Sequence, residues 1–166
     1  KPISNFVDYP IESLNEETSD WVYLLENGDL PNYKPDEKIK SYVSDERWIN
    51  IVNKASESWF KHYHLGILYY ASEKTNEAYE EFKKSTELMP NAWSLRNLSQ
   101  IEKNENKDLD KACAYMEEAV NVKADYYPLW ANYAETVIEN KQYKLWINKY
   151  ENPEFMFKDS GRLKML

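Results

Sequence analysis

Residues 65–90, LGILYYASEKTNEAYEEFKKSTELMP, decide the fold, because they hold two amphipathic helical segments separated by a short polar turn. We predict helices over 59–71 and 76–89, with Ser58 and Thr75 as their N-caps and Pro90 ending the second. Helices joined by so short a turn pack as antiparallel neighbours. The stretch therefore predicts a helical hairpin.

The helical spacing of apolar residues extends to both sides of this hairpin. Ser44 and Asp108 are placed to cap helices, and Pro128 suits a first helical turn. Gly28 suits the C′ position after a helix, although a strand over 21–24 with a turn at 27–29 is an alternative there. The chain is therefore predicted to be all-α, with further helices over 20–27, 45–55, 92–103, 109–123, 128–140 and 142–151.

Comparing the chain with itself reveals a repeat. At a separation of 34 residues, Ala78 matches Ala112 and Ser85 matches Ala119. Phe82, Met116 and Tyr150 form a column of large side chains at the same spacing. Small residues let two helix backbones approach, and large residues fill the groove beside them. The hairpin is therefore expected to recur.

The spacing Leu65-Gly66-x2-Tyr69-x8-Ala78-x3-Phe82-x2-Ser85-x4-Pro90 resembles a tetratricopeptide repeat. The resemblance implies a right-handed superhelix of antiparallel helical hairpins, an α-solenoid. It implies about three repeats, over 59–92, 93–126 and 127–153, after an incomplete copy containing Trp48 and Ile51. A repeat domain over 44–166 would then follow a less regular N-terminal arm or linker over 1–43.

The second copy departs from the family pattern. Strict register places Ser99, Gln100 and Lys103 where Leu, Gly and Tyr are expected. Sliding its first helix back by one residue places Leu95, Leu98 and Ser99 on the core side, and we prefer that register. The turn over 104–108 would then absorb the extra residue. In the third copy Trp146 and Pro153 fall on columns that should be small, which predicts a short, splayed last helix.

The motif Asn91-Ala92-Trp93-x2-Arg96-Asn97-Leu98 is similar to one found in a bacterial group of tetratricopeptide proteins. In that group the repeats follow an N-terminal β-rich domain of unknown function. Because the chain begins with Lys, we expect it to be a piece of a longer protein, in which 1–43 would connect such a domain to the repeats.

Composition excludes several classes of protein. The 166 residues carry a net charge of −8, which argues against nucleic acid or an anionic membrane as the main partner. No apolar run is long enough to cross a bilayer, and a cytoplasmic location is the default expectation. One cysteine, Cys113, excludes an internal disulfide, and Gly28, Gly66 and Gly161 lie too far apart for a phosphate-binding loop.

No combination of residues predicts catalysis, a cofactor or a metal. His62 and His64 are two residues apart on one helix, so they point in different directions. We expect His62 to have a packing role and Cys113 to be a half-buried, unreactive thiol. The pairs Glu80-Glu81 and Glu117-Glu118 are interpreted as solvated helix faces. The chain is therefore not expected to be an enzyme.

The family resemblance implies a concave groove, lined by the first helix of each hairpin, that binds a protein or peptide segment. Phe60, Tyr63, Ile67 and Tyr70 also form a second apolar face by their spacing. The resemblance implies these groove positions, with the shifted register used for the second copy: Phe60, Tyr63, Ile67, Tyr70, Arg96, Asn97, Gln100, Lys103, Ala131, Asn132, Glu135 and Ile138. Tyr63 and Ile67 stand where carboxylate-binding members have Lys and Asn, which disfavours chaperone tails as ligands.

Three alternatives remain open. The arm's Trp21, Tyr23 and Tyr33 are available to cover the aromatic face of the first copy, leaving it no room for a ligand. The helices could instead form a spacer or a homodimer, with Trp130, Trp146 and the tail GRLKML contacting another copy. Finally, the chain could be an accessory domain of an enzyme or carbohydrate-handling protein, because tyrosine and tryptophan rings stack on sugars.

Overall fold

The structure, a computed structural model, describes residues 15–152, 154–158, 160 and 163. Within that part the chain is helical and contains no strand, so the all-α prediction is confirmed. The helices are α1 Ser19–Asn27, α2 Ile49–Val52, α3 Trp59–Ala71, α4 Thr75–Leu88, α5 Ala92–Ile101, α6 Leu109–Val122, α7 Tyr127–Glu139 and α8 Tyr143–Glu151. A 3₁₀ turn, Glu46–Trp48, precedes α2, and a π-helical segment, Glu102–Asn106, extends α5.

Two compact units make up the chain, residues 1–90 and residues 91–166. The predicted boundary after residue 43 does not coincide with this division, since the described part of the arm belongs to the same unit as the first hairpin.

In the first unit α3 packs against α4, and the 3₁₀ turn and α2 also contact α3. Trp21 and Leu24 of α1 share a core with Val52, Leu65 and Leu68. The arm therefore contributes core side chains as well as length.

In the second unit α6 packs against both α5 and α7, and α8 packs against α7. Its core includes Met116, Tyr133 and Val137, with Phe155 and Leu163 from the residues after α8. Trp130 and Trp146 are also buried there, so their predicted role as a surface for another copy is wrong. The tail GRLKML lies outside the described residues except for Leu163.

Local signals located most helix ends. Ser58 Oγ accepts a hydrogen bond from the Lys61 amide, and the Asp108 carboxylate accepts one from the Lys111 amide. Gly28 has φ 73° and ends α1, which confirms a helix there over the strand alternative. Three details were wrong. The cap ahead of residue 46 is Asp45, whose carboxylate accepts from the Arg47 amide, and not Ser44. Thr75 lies inside α4, and the helix expected over 45–55 is a 3₁₀ turn plus α2.

The three hairpin turns share one backbone feature. Glu73, Lys107 and Lys141 have φ of 60°, 59° and 59°, and they are spaced by the 34-residue period of the sequence. A left-handed residue at this position ends the first helix and turns the chain into the second. The repeat seen in the sequence is thus also a repeat of backbone conformation.

The shifted register of the second copy is confirmed by burial and by the turn. Leu95, Leu98 and Ser99 are buried, and Ser99 Oγ donates to the Ala112 carbonyl across the hairpin at 2.8 Å. The extra residue is absorbed by the π-helical segment Glu102–Asn106, within and just ahead of the turn where the sequence predicted it.

Candidate functional site

The predicted aromatic face of α3 is only partly open. Phe60 is 1% exposed and Tyr63 7%, whereas Ile67 is half-buried and Tyr70 is 41% exposed. The expectation that all four side chains lie open to a ligand is therefore corrected for Phe60 and Tyr63. The open part of the face lies at the C-terminal end of α3.

The arm covers the closed part. The Tyr33 ring stacks on Phe60 with ring centroids 4.5 Å apart, and the Tyr33 carbonyl accepts a hydrogen bond from Trp59 Nε1 at 3.1 Å. Trp21 lies edge-on to His64 at 4.7 Å. Of the three arm aromatics expected to cover α3, Trp21 and Tyr33 do so, and Tyr23 is exposed.

Tyr33 is held at both ends. Its hydroxyl donates to Asp20 Oδ2 at 2.8 Å, and both side chains are buried. Burial and the hydrogen bond to the Asp20 carboxylate raise the pKa of Tyr33. We call Asp20, Trp59 and Phe60 the tyrosine socket. Its Asp20 was missed by the sequence analysis, because a lone aspartate in α1 carries no signal for a partner 13 residues away.

His64 occupies an aromatic cage of Trp21, Phe60 and Tyr63, whose ring centroids lie 4.4–5.0 Å from its own. Neither ring nitrogen has a hydrogen-bond partner in the described part of the chain. Burial lowers the pKa of His64 to about 3, so the imidazole is neutral at ordinary pH.

His62 forms a bridge rather than a simple packing contact, which corrects the prediction. Its Nδ1 lies 2.5 Å from Glu81 Oε2 on α4, and its Nε2 lies 2.7 Å from Glu57 Oε1 ahead of α3. The hydrogen bonds with Glu81 and then Glu57 raise the pKa of His62 against the effect of burial. Glu81 is half-buried, so the solvated-face interpretation of Glu80-Glu81 is wrong for this residue.

In the second unit, α5 and α7 present a polar face joined by two side-chain pairs. Arg96 Nε donates to Asn132 Oδ1 at 2.8 Å, and Lys103 Nζ pairs with Glu139. Arg96 is exposed, and Asn97, Gln100, Lys103, Asn132, Glu135 and Ile138 are half-buried. Ala131 is buried and is not available to a ligand. The structure thus brings the predicted polar residues of α5 and α7 together, with their side chains exposed or half-buried.

Arg96 is the distinctive charge on this face. Lys103 is paired with a carboxylate, whereas the only bond of the Arg96 guanidinium within the described residues is to a neutral amide. A guanidinium has five N–H donors in a fork that matches a carboxylate. The arrangement can therefore bind an acidic group.

Cys113 is buried in the second unit, where Asn140 Nδ2 lies 3.7 Å from its sulfur. Burial raises the pKa of the thiol, which makes it a poor nucleophile at neutral pH. Among the described residues no group of three or more His, Cys, Asp or Glu side chains is placed to hold a metal ion.

No protein-family model, curated protein or solved structure matches the chain. In the part of the chain that the structure covers, every helix is too short or too polar to span a bilayer.

Proposed function

We propose that this chain is a non-catalytic module that binds protein or peptide segments on the first helices of its hairpins, α3, α5 and α7. We further propose that the hairpins follow the tetratricopeptide pattern of an α-solenoid. The 34-residue spacing of Glu73, Lys107 and Lys141 supports this proposal, since it is the period of the sequence repeat. A bacterial origin and a cytoplasmic location stay predictions.

The exposed guanidinium of Arg96 is the single observation that carries the binding role. It is exposed on α5 in a chain with a net charge of −8, bonded to Asn132 and to no carboxylate among the residues described. Opposite charge across an interface steers association and fixes register. The ligand of this face is therefore proposed to be a segment with an acidic side chain that pairs with Arg96.

Selection from a random peptide library on the full chain tests this function. We expect enrichment of peptides with an Asp or Glu, and we expect Arg96→Ala to lower their affinity by about tenfold, the loss of one charge-assisted hydrogen bond. Arg47→Ala is the matched control, because Arg47 is an exposed arginine already paired with Asp45. If no peptide is enriched, or if both variants bind equally well, the proposal fails.

A homodimer is the second candidate, favoured by three exposed apolar side chains of α8, Tyr143, Leu145 and Ile147. A mass that stays monomeric at every concentration in light scattering would contradict it.

A further inference from the structure

In the arm, the irregular segment after α1 contacts α3 through Tyr33, and its Leu30 and Val43 are partly buried against the core that α1 and α3 share. Residues 28–44, which we call the arm segment, form neither helix nor strand. Tyr33 is its only fully buried side chain, and Lys34, Lys38, Lys40 and Tyr42 are exposed. A segment with few buried contacts opens at lower free energy than the helices it covers.

The tyrosine socket recognises three chemical features of its occupant. The Phe60 ring stacks on the aromatic ring, Trp59 Nε1 donates to the backbone carbonyl of the same residue, and the Asp20 carboxylate accepts the phenolic O–H. A phenylalanine would satisfy the first two and leave the buried Asp20 carboxylate without that donor. A site built around a hydroxyl discriminates strongly against the analogue that lacks it.

We propose that the arm segment is a resident ligand of the tyrosine socket, and that the external partner of the first unit is an unstructured protein segment whose tyrosine replaces Tyr33. The inference rests on the proposed function, since it assigns to α3 the binding of a protein segment. Displacement uncovers Phe60, so the partner gains the part of the α3 face that Tyr33 now closes.

The arm segment lowers the apparent affinity of the tyrosine socket for any external segment. Because the socket is free only in the fraction of molecules whose arm segment is open, the apparent affinity for an external tyrosine falls by that fraction. A change that empties the socket while the chain stays folded should restore the affinity.

The test is a fluorescent peptide with the sequence of residues 28–40, GDLPNYKPDEKIK, titrated into the full chain. We expect Tyr33→Ala in the chain to tighten binding at least about tenfold over wild type, because the internal competitor is lost. Tyr42→Ala is the matched control: Tyr42 is 65% exposed in the same segment, so its loss should not change binding.

Variants of the peptide test which features of the tyrosine the socket recognises. Changing the peptide tyrosine to Phe should weaken binding to the Tyr33→Ala chain by about tenfold or more, because the Asp20 carboxylate loses its donor. Changing it to Ala should abolish binding. Equal binding of the three peptides, or no gain on Tyr33→Ala, would overturn the proposal.

Hydrogen exchange on the wild-type chain covers the case in which Tyr33→Ala does not fold. We expect the Trp59 indole N–H to exchange through a local opening that is insensitive to denaturant, at least about tenfold faster than the central α3 amides. If both exchange only by global unfolding, the arm segment is a permanent part of the core and the proposal is wrong. The gain on Tyr33→Ala should persist in an Arg96→Ala background, where the peptide's Asp29, Asp36 and Glu37 can no longer pair with Arg96. A failure here is therefore distinguishable from a failure of the acidic-segment site.

Discussion

His64 shows how a single residue couples the arm to α3. Its ring is buried between Trp21 of α1 and the α3 aromatics, with both nitrogens lacking a partner in the described structure. A buried polar group without a hydrogen bond costs about 1–3 kcal/mol. The cage tolerates this cost because the neutral ring packs edge-on against three aromatic side chains.

The first prediction follows from the low pKa of His64. Below the ordinary pKa of 6.5, His64 is protonated in the unfolded chain, whereas in the folded chain it stays neutral down to about pH 3. This residue therefore lowers the free energy of unfolding as the pH is lowered from about 6.5 to about 3. Between about pH 7 and about pH 5 the free energy of unfolding of wild type should fall by about 2 kcal/mol more than that of His64→Leu. Urea unfolding at both pH values measures the difference, and parallel losses would contradict it.

His62→Gln is the control of opposite sign. The pKa of His62 is raised by its carboxylate partners, so its contribution to stability is fully present below pH 6.5 and is lost as the pH rises through the folded-state pKa. His62→Gln should therefore cost more stability at acidic pH than at alkaline pH.

Gly66 carries the second prediction. A Cβ at this position would lie 2.5 Å from the ring of Phe82, which is itself buried. Alanine normally stabilises a helix interior over glycine by about 0.5–1 kcal/mol. Here we expect Gly66→Ala to destabilise the chain by about 1–3 kcal/mol in urea unfolding, because the hairpin is overpacked.

Ala134 occupies the matching position of the third copy and is buried. Ala134→Gly should lower the free energy of unfolding by about 1 kcal/mol from helix propensity alone. Exchanging the small residue is therefore expected to destabilise the chain in both copies, because each residue fits the helix that packs against it. A gain in stability for Gly66→Ala would show that α3 and α4 do not approach this closely.

At the scale of elements, the π-helical segment explains how a repeat tolerates a shifted helix. In the first and third hairpins the amide after the left-handed residue bonds the carbonyl five residues back, Lys74 to Tyr69 and Gln142 to Val137. In the second hairpin Asp108 bonds Glu102, six residues back. One extra residue is therefore stored in a π-bulge, which keeps α5 and α6 in register with the core.

The third prediction is a deletion. Removing Glu105, which is exposed, should convert the second turn to the geometry of the other two and change the free energy of unfolding by less than about 1 kcal/mol. Removing Lys83 from the middle of α4 should cost more than about 4 kcal/mol, because it rotates one half of the helix off the core. Thermal unfolding of the two deletion variants measures the difference in stability. Equal destabilisation by both deletions would contradict the proposal that the π-bulge accommodates one extra residue.

At the scale of the whole molecule, each unit has a core of its own, one drawing on the arm and the other on the residues after α8. The amphipathic pattern predicted which faces of the helices are apolar. It left open whether the arm's Trp21, Tyr23 and Tyr33 or a ligand covers α3, because an apolar face specifies burial and not the identity of what buries it.

The sequence by itself determined the helices, most of their ends, the 34-residue period and the shifted register, because caps, helical spacing and small-residue columns act between near neighbours or recur along the chain. Only the tertiary structure decided the pairs that define the sites: Tyr33 with Asp20 and Phe60, His62 with Glu81, and Arg96 with Asn132. These pairs join residues 13–36 positions apart on different elements. Their formation depends on how the helices pack, which local patterns do not encode.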